Sequence, residues 1–243
     1  MNQIPEEKLE EIKLKYNWKR MSIQRWIFVS EKERLSEQFM IQYQDKLNWA
    51  WISYYQTISE KFIEKCQNKV HWENISSGQT LSEEFIDKFQ DKVDWRKISM
   101  HQTLSEKFIA KFQDKVYWQW MSIYQTLSEQ FIEKFTDRVD WHFISSCQKL
   151  SEEFIEKFQY KVDWKSISRS NILSEGFIEK FRYKVYWKFI SKHQNLSQQF
   201  IEVFKRYLNM DYLLNEDKIT QEFYNNIMSR FNNYGSRFQL LDI

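Results

Sequence analysis

The chain contains only three glycines and one proline among its 243 residues. β-Helices and leucine-rich horseshoes need glycines at their turns, and flexible linkers are rich in glycine and proline, so this composition disfavours both. It also leaves no glycine-rich phosphate loop and no G-x-S-x-G nucleophile motif. We therefore expect neither a nucleotide-binding loop nor a hydrolase active site of that type.

Residues that form disulfides or bind metals are also scarce. The two cysteines, Cys66 and Cys147, occupy different positions of the repeat described below and form no disulfide framework, which predicts a reducing compartment. None of the four histidines has the spacing of a zinc ligand pair, so we expect no metal and no cofactor. The histidines are His71, His101, His142 and His193. Carboxylates are plentiful but form no acid–base constellation, and we expect no enzymatic activity.

The charge and hydropathy of the chain select no partner by themselves. The formal net charge is +2 at pH 7. The N-terminal residues show no basic-then-apolar signal, and no apolar run approaches the length of a membrane-spanning helix. We therefore expect a soluble protein of the cytoplasm that does not enter a membrane.

What the chain has instead is a repeat of 23 residues, which occurs seven times between residues 35 and 195 without insertion or deletion. Its pattern is L-S-E-x-F-I-x-K-F-x-x-K-V-x-W-x-x-I-S-x-x-Q-x, and we number its positions from 1 to 23. A fixed period of this length is typical of a solenoid built from stacked units. The seven repeats begin at Leu35, Ile58, Leu81, Leu104, Leu127, Leu150 and Leu173.

The repeat decays towards both ends, as the capping units of solenoids do. An eighth repeat begins at Leu196 and diverges after Asn209, and a partial ninth begins at Ile219. Residues 27–34 are interpreted as an insertion that breaks the spacing before the first regular repeat. A diverged N-terminal repeat is indicated by Ile4, Trp18, Met21 and Ser22. We expect one continuous solenoid with three parts, residues 1–34, 35–195 and 196–243.

Each repeat predicts two helices. Positions 2–12 predict a helix with the serine at position 2 as its N-cap, followed by a glutamate that favours the positive end of the helix dipole. A second, shorter helix begins near the tryptophan at position 15, with its regular residues on one face. Helices this short are marginal alone, so neighbouring repeats must stack. We therefore predict an all-α fold, an α-solenoid of stacked two-helix repeats with diverged capping repeats at both ends.

The second helix has a constant face and a variable face. Trp, Ile, Ser and Gln recur at positions 15, 18, 19 and 22, which we call the constant face and expect to pack in the core. Positions 16, 17, 20 and 21, the variable face, differ from repeat to repeat and lie on the opposite side of the helix. Of the 28 variable residues, seven are aromatic, six are Lys or Arg and one is acidic. Exposed aromatic side chains commonly anchor interfaces.

This pattern predicts that the variable face binds a partner. Some of its side chains could instead pack between neighbouring repeats. The residues that we predict to contact the partner are Trp51, Tyr54, Tyr55, Arg96, Lys97, Trp120, Tyr124, Phe143, Lys188, Phe189 and Lys192.

Three functions remain open from the sequence. The favoured one is a non-catalytic scaffold that binds a protein partner. The second is binding of single-stranded nucleic acid along the solenoid, with bases stacked on aromatic rings and phosphates held by Lys and Arg. The third is a structural role through self-association of the exposed aromatic residues.

The first helix carries lysines at positions 8 and 12 that recur in nearly every repeat. Such ladders could follow a phosphate backbone. A carboxylate often precedes each cation, as Glu133 precedes Lys134 and Asp137 precedes Arg138. We therefore expect a neutralised, solvated surface rather than a nucleic-acid track.

The repeat unit, clearest in residues 81–103 and 127–149, resembles short tandem repeats found in proteins of giant, amoeba-infecting DNA viruses. The resemblance covers roughly residues 35–210. It implies a viral protein that acts in the cytoplasm of the infected host or is carried in the virion; the partner of the scaffold predicted above would then be a host or viral protein. It implies no particular activity, and residues 27–34 and the tail after Asp217 depart from its pattern.

Overall fold

The computed structural model describes residues 22–235, and the side chains of residues 22–229. Every regular element in that range is an α-helix, eighteen in all. The chain divides into two compact units, Met1–Gln125 and Thr126–Ile243, which we call unit 1 and unit 2. Ile4, Trp18 and Met21 lie outside the described residues.

Between residues 22 and 125, unit 1 has one second-type helix followed by four first-and-second helix pairs. Its helices are α1 Ile23–Lys32, α2 Glu37–Gln42, α3 Trp49–Tyr55, α4 Glu60–Lys65, α5 Trp72–Gly78, α6 Glu83–Lys88, α7 Trp95–His101, α8 Glu106–Lys111 and α9 Trp118–Tyr124. The closest helix packing joins each second helix to the next, in the order α1, α3, α5, α7 and α9.

Unit 2 repeats this arrangement and ends with a longer helix. Its helices are α10 Glu129–Lys134, α11 Trp141–Cys147, α12 Glu152–Lys157, α13 Trp164–Ser170, α14 Glu175–Lys180, α15 Trp187–His193, α16 Gln198–Phe204, α17 Met210–Asn215 and α18 Gln221–Gly235. The second helices α11, α13, α15 and α17 again pack one on the next, and α18 contacts α17. The predicted all-α stack of two-helix repeats is confirmed.

The first helices are shorter than predicted. In the third repeat the α-helix ends at Lys88, and Phe89 leaves the helical region with φ −109° and ψ 27°. A turn follows, in which the N–H groups of Lys92 and Val93 both donate to the carbonyl oxygen of Phe89. This turn returns Val93 to the core, where it is buried. Positions 9–12 therefore form a turn rather than the last part of a helix.

The predicted N-caps are confirmed. The serine at position 2 accepts a hydrogen bond from the backbone N–H of the phenylalanine three residues later, for example Ser82 from Phe85 at 3.1 Å. The second helices are capped by side chains where position 14 is Asn or Asp. These caps are Asn48, Asp94, Asp140, Asp163 and Asn209. His71, Tyr117 and Tyr186 make no side-chain cap.

The constant face forms the core of both units. The residues at positions 18 and 19, such as Ile98 and Ser99, are fully buried. The tryptophan at position 15 packs on the phenylalanines of the next repeat; the ring of Trp72 lies 5.1 Å from that of Phe89. Its indole N–H donates to a backbone carbonyl at position 10 of its own repeat, Gln67 in the case of Trp72. The tryptophans are therefore packing residues, as predicted, although they are half-buried rather than fully buried.

Two buried polar side chains per repeat join the second helices. The Ser76 hydroxyl donates to the carbonyl oxygen of Trp72 at 2.7 Å, as predicted, and also accepts from the N–H of Asp94 in the next repeat at 2.9 Å. The glutamine at position 22 bonds backbone groups of its own and the preceding repeat, as Gln102 bonds Gln79 at 2.8 Å. These bonds fix the register between neighbouring second helices.

The N-terminal register differs from the sequence expectation. Trp26, Val29 and Ser30 lie one repeat before Trp49, Ile52 and Ser53. All three are buried, and Val29 and Ser30 are fully buried like Ile52 and Ser53. Ser30 makes the same two hydrogen bonds, to Trp26 at 2.8 Å and from the N–H of Asn48 at 3.0 Å. Residues 27–34 therefore continue the repeat and are not an insertion. Valine replaces the usual isoleucine here, and Ser22, assigned to the constant serine from sequence, instead caps α1.

In the eighth repeat, a lysine makes the hydrogen bonds that the position-22 glutamine makes in other repeats. Asp217 occupies that position and takes a left-handed backbone conformation with φ 53°. The next residue, Lys218, donates its ammonium to the carbonyl oxygens of Ser191, Lys192 and Gln194. Two of these, Ser191 and Gln194, are the carbonyls that a position-22 side chain would reach. Lys218 therefore satisfies the backbone carbonyl groups at the end of α15 that a position-22 glutamine would otherwise bind.

The predicted partial ninth repeat begins as its pattern indicates. Ile219 is buried, and Thr220 accepts a hydrogen bond from the N–H of Phe223 at 3.1 Å, as the serine N-caps do in other repeats. The helix α18 follows directly. This end of unit 2 is therefore covered by another first-type helix.

Candidate functional site

The variable face lies at the surface of each unit, opposite the buried constant face. On α9, Met121 and Ser122 are fully buried, whereas Tyr124 is 52% exposed. On α3, Ile52 and Ser53 are fully buried between Trp51 and Tyr54. The second helix therefore separates packing residues from surface residues as its periodicity predicts.

An aromatic cluster forms on α3. The ring of Tyr55 lies 5.2 Å from that of Trp51 and 4.8 Å from that of Tyr54. Tyr54 and Tyr55 are 45% and 48% exposed. The structure thus brings these three predicted site residues together on one helix.

Two residues of α1 extend this cluster, and the sequence analysis missed both. Phe28 occupies the position of Trp51 one repeat earlier and is 45% exposed. Lys32, at the position of Tyr55, places its ammonium 6.0 Å from the Tyr55 ring centroid and pairs with Glu31 at 2.6 Å. That ion pair raises the pKa of Lys32. Counting 23 residues back from Trp49 to Trp26 would have identified both. We call Phe28, Lys32, Trp51, Tyr54 and Tyr55 the aromatic cluster.

Some variable residues pack between helices instead of facing a partner. The Asn74 side chain donates to the carbonyl oxygen of Ala50 at 2.9 Å, joining α5 to α3. A Cβ atom added to Gly78 would lie only 2.7 Å from the carbonyl oxygen of Tyr54. The alternative of packing between repeats therefore holds for these α5 residues, and α5 lies between the aromatic cluster and α7.

The other predicted residues of unit 1 form two smaller groups. Arg96 is exposed on α7, and Lys97 pairs with Glu73 of the preceding second helix at 3.5 Å. On α9, the Trp120 ring stacks 5.9 Å from the Tyr124 ring. Arg96 and Lys97 are separated from the aromatic cluster by α5.

Unit 2 presents a different variable face. Phe143 and Phe189 are half-buried, and their rings lie beside His142 at 5.3 Å and His193 at 6.1 Å respectively. Lys188 and Lys192 are exposed on α15. The exposed tyrosines of the variable face are thus found in unit 1, and the predicted site residues of unit 2 combine lysines with half-buried phenylalanines.

Several cations of unit 2 lie close to His193 and affect its pKa. Partial burial and the charges of Lys192, Arg169 and Lys218 together lower the pKa of His193. These cations come from α13, α15 and the segment after α17. Arg169, Lys192 and His193 lie on the variable face, and Lys218 bonds the Lys192 carbonyl oxygen beside them. We call these four residues the basic cluster.

A histidine–aspartate pair joins α11 to the N-cap of α13. His142 Nδ1 lies 3.2 Å from an Asp163 oxygen. Burial alone would raise the pKa of Asp163, but hydrogen bonds from the Ser166 side chain and from the backbone N–H groups of Lys165 and Ser166 outweigh it and lower the pKa. The Asp163 carboxylate therefore serves as a helix cap.

Several lysines at positions 8 and 12 are neutralised, but not by the carboxylate beside each lysine. Lys157 pairs with Glu133, and Lys161 pairs with Asp137 at 3.0 Å. In each pair the acid lies 24 residues earlier, in the preceding repeat. The same pattern joins Lys88 to Glu64, Lys111 to Asp87, Lys180 to Glu156, Lys69 to Asp45 and Lys115 to Asp91. These ladders tie repeats together along the surface.

The two cysteines lie in different environments within residues 22–235. Cys66 is buried, which raises the pKa of its thiol, and Cys147 is exposed on the variable face of α11; both are free thiols. In that same range no three His, Cys, Asp or Glu side chains are grouped so that they could hold a metal ion. The helices described above include none long and apolar enough to cross a membrane.

Comparison with known proteins identifies no relative. No family model, no curated protein and no solved structure matches this chain.

Proposed function

We propose that this protein is a non-catalytic repeat scaffold that binds a protein partner through its variable face. The observation that carries the proposal is the exposure of Tyr54, Tyr55 and Tyr124 on helices whose residues at positions 18 and 19 are fully buried. Large aromatic side chains dominate the binding energy of protein interfaces, because they bury much apolar area while losing few rotamers. A variable aromatic face on a constant core supports recognition of one particular partner.

The aromatic cluster is the strongest candidate for an anchor. The Tyr55 ring stacks on Trp51 and meets the Tyr54 ring edge-on, so the three rings are held in place before a partner binds. Preorganisation of this kind lowers the entropic cost of association. Phe28 enlarges the apolar surface, and the Lys32–Glu31 ion pair borders it. A partner segment with apolar or aromatic side chains fits this chemistry.

The origin and location of the protein form part of the same proposal. The resemblance of the repeats to those of giant-virus proteins supports a viral protein that contacts host proteins in the cytoplasm or is carried in the virion. The partner is then a host or viral protein.

The variable face gives less support to binding of single-stranded nucleic acid. Such binding needs exposed rings and cations side by side along one groove. Here Tyr54, Tyr55 and Tyr124 are exposed in unit 1, whereas the basic cluster lies in unit 2 beside half-buried phenylalanines. Self-association through the tyrosines is a further alternative, and a molecular mass independent of protein concentration would exclude it.

The proposal is tested by partner capture with two variants of the full chain. Trp120→Ala with Tyr124→Ala removes the variable-face rings of α9 and keeps Trp118. We expect the quantity of the captured protein to fall sharply while far-ultraviolet circular dichroism is unchanged. The matched control is Tyr117→Ala, because Tyr117 is 50% exposed but lies outside the variable face. Equal capture by the wild type and by the double variant would show that this part of the variable face is not the binding surface.

A further inference from the structure

A second surface of unit 2 combines aromatic rings with cations, on the turn that follows the first helix. Position 11 of the repeat is Asp45, Asp91 and Asp137 in the first, third and fifth repeats, and each pairs with the lysine at position 12 of the next repeat. In the sixth and seventh repeats this position is Tyr160 and Tyr183. The acid has been replaced by an aromatic ring in two consecutive repeats.

The two tyrosine rings are the most exposed aromatic side chains on the described surface. Tyr160 is 89% exposed and Tyr183 is 80% exposed. The ammonium of Lys184 lies 4.3 Å from the Tyr160 ring centroid, and the guanidinium carbon of Arg182 lies 4.6 Å from that of Tyr183. Lys184 follows Tyr183 in the chain and reaches Tyr160, so both rings belong to one patch. We call Tyr160, Arg182, Tyr183 and Lys184 the tyrosine–cation patch.

The surface around these tyrosines is also more basic than the corresponding surface of the fifth repeat. In the fifth repeat, residues 133–138 contain two acids and two cations. In the seventh repeat, residues 179–184 contain one acid and three cations. Lys184 donates a hydrogen bond to the neutral Gln159 at 2.7 Å and faces Tyr160. The equivalent lysine of the preceding repeat, Lys161, instead pairs with an aspartate. The patch therefore has an excess of positive charge that the corresponding surface of the fifth repeat lacks.

We propose that the tyrosine–cation patch binds single-stranded nucleic acid, with bases stacked on Tyr160 and Tyr183 and phosphates paired with Arg182 and Lys184. Two highly exposed rings each lie beside a cation here, as stacking of bases and pairing of phosphates along a single strand require. Charge complementarity selects a polyanion, and the two exposed rings select one that carries flat aromatic groups. An acidic peptide would need the cations but not the rings. This function is separate from partner binding by the variable face.

The test uses two double variants of the full chain. Tyr160→Ser with Tyr183→Ser removes both rings without changing the charge. Tyr160→Asp with Tyr183→Asp restores the residue found at position 11 of other repeats, so the fold tolerates it and Lys184 regains an acidic partner. The matched control is Asn68→Asp with Thr80→Asp, which adds the same two negative charges at exposed positions of unit 1.

The probe is a fluorescein-labelled single-stranded oligothymidylate, followed by anisotropy at low and at physiological salt. We expect the wild type and the unit 1 control to bind with an affinity that falls as salt rises. Each lost ring should weaken binding by roughly tenfold, so both patch variants should bind far more weakly. Absence of wild-type binding at low salt would overturn the proposal, and so would equal binding by the serine variant. Binding of labelled polyglutamate but not of the oligonucleotide would assign the patch to acidic protein segments and overturn it as well.

Discussion

The side-chain amide of Gln79 donates a hydrogen bond of 2.7 Å to the carbonyl oxygen of Gln56, the equivalent residue of the preceding repeat. The same amide donates to the carbonyl oxygen of Ser53 at 2.9 Å, and its oxygen accepts from the N–H of Ile58 at 3.3 Å. One buried glutamine thus satisfies three backbone groups that belong to two repeats. Each repeat depends on its neighbour for hydrogen bonds as well as for apolar packing.

Replacement of a buried position-22 glutamine should therefore destabilise the stack of repeats. In Gln102→Leu, the N–H of Leu81 and the carbonyl oxygens of Ser76 and Gln79 lose their partner while they stay buried. Unsatisfied buried groups are costly, and we expect a loss of about 3 kcal/mol in the free energy of unfolding. Urea unfolding followed by circular dichroism measures it.

The matched control is Gln119→Leu, because Gln119 is exposed on the variable face of α9. It makes the same chemical change without burying an unsatisfied group, so its unfolding midpoint should stay close to that of the wild type. If both variants lost the same stability, the glutamine hydrogen bonds would not be what joins the repeats.

Asn171 stands at position 22 of the sixth repeat, where the other regular repeats have glutamine, and offers a stabilising substitution. Its oxygen accepts from the N–H of Leu150 at 3.1 Å, but its amide reaches the carbonyl oxygen of Ser145 only at 3.5 Å. Asn171→Gln supplies the missing methylene and should shorten this bond and add one to Gln148. We expect a gain of about 1 kcal/mol, measured as a higher urea midpoint. An unchanged or lower midpoint would show that the surrounding backbone has adapted to asparagine.

The helical repeat could be predicted from sequence because its signals are local and recur many times. The serine N-caps, the apolar spacing and the 23-residue period all indicate the same stack, and Trp72 and Ser76 play the parts expected of them. The end of the first helix was missed because the sequence around Phe89 contains no glycine or asparagine to mark a C-cap. The partners of Lys157 and Gln102 were missed because each lies in the preceding repeat, and sequence adjacency does not show which residues stacking brings together.

The candidate site was harder to predict than the fold. Position alone correctly marks Tyr55 and Tyr124 as surface residues, since a helix face is set by its period. It cannot show that Asn74 and Gly78 pack against α3, because this depends on how closely two helices approach. Phe28 was missed through a register error, and the importance of Tyr160 appears only when its exposure and its contact with Lys184 are known.

The titration of His193 should report the positive charge of the basic cluster. Burial and the neighbouring cations lower its pKa, so protonation is less favourable in the folded chain than in the unfolded chain. Its contribution to stability is present above the ordinary imidazole pKa of about 6.5 and decreases as the pH falls below that value. We expect Arg169→Gln with Lys192→Gln to raise the pKa, measured by NMR titration of the imidazole ring. Lys165→Gln with Lys188→Gln removes two cations outside the cluster and should change it less; an equal shift in both variants would contradict a local effect.

Two glycines in helices should respond to alanine in opposite directions. A Cβ atom at Gly78 would lie 2.7 Å from the carbonyl oxygen and 2.9 Å from the Cα atom of Tyr54, both backbone atoms that cannot rotate away. Gly78→Ala must therefore separate α3 from α5, and we expect it to lower the free energy of unfolding by about 1–3 kcal/mol. No atom lies within 4 Å of a Cβ at Gly176, so Gly176→Ala should raise it by about 0.5–1 kcal/mol through helix propensity alone. Urea midpoints that move in the same direction for both variants would refute the close approach of α5 to α3.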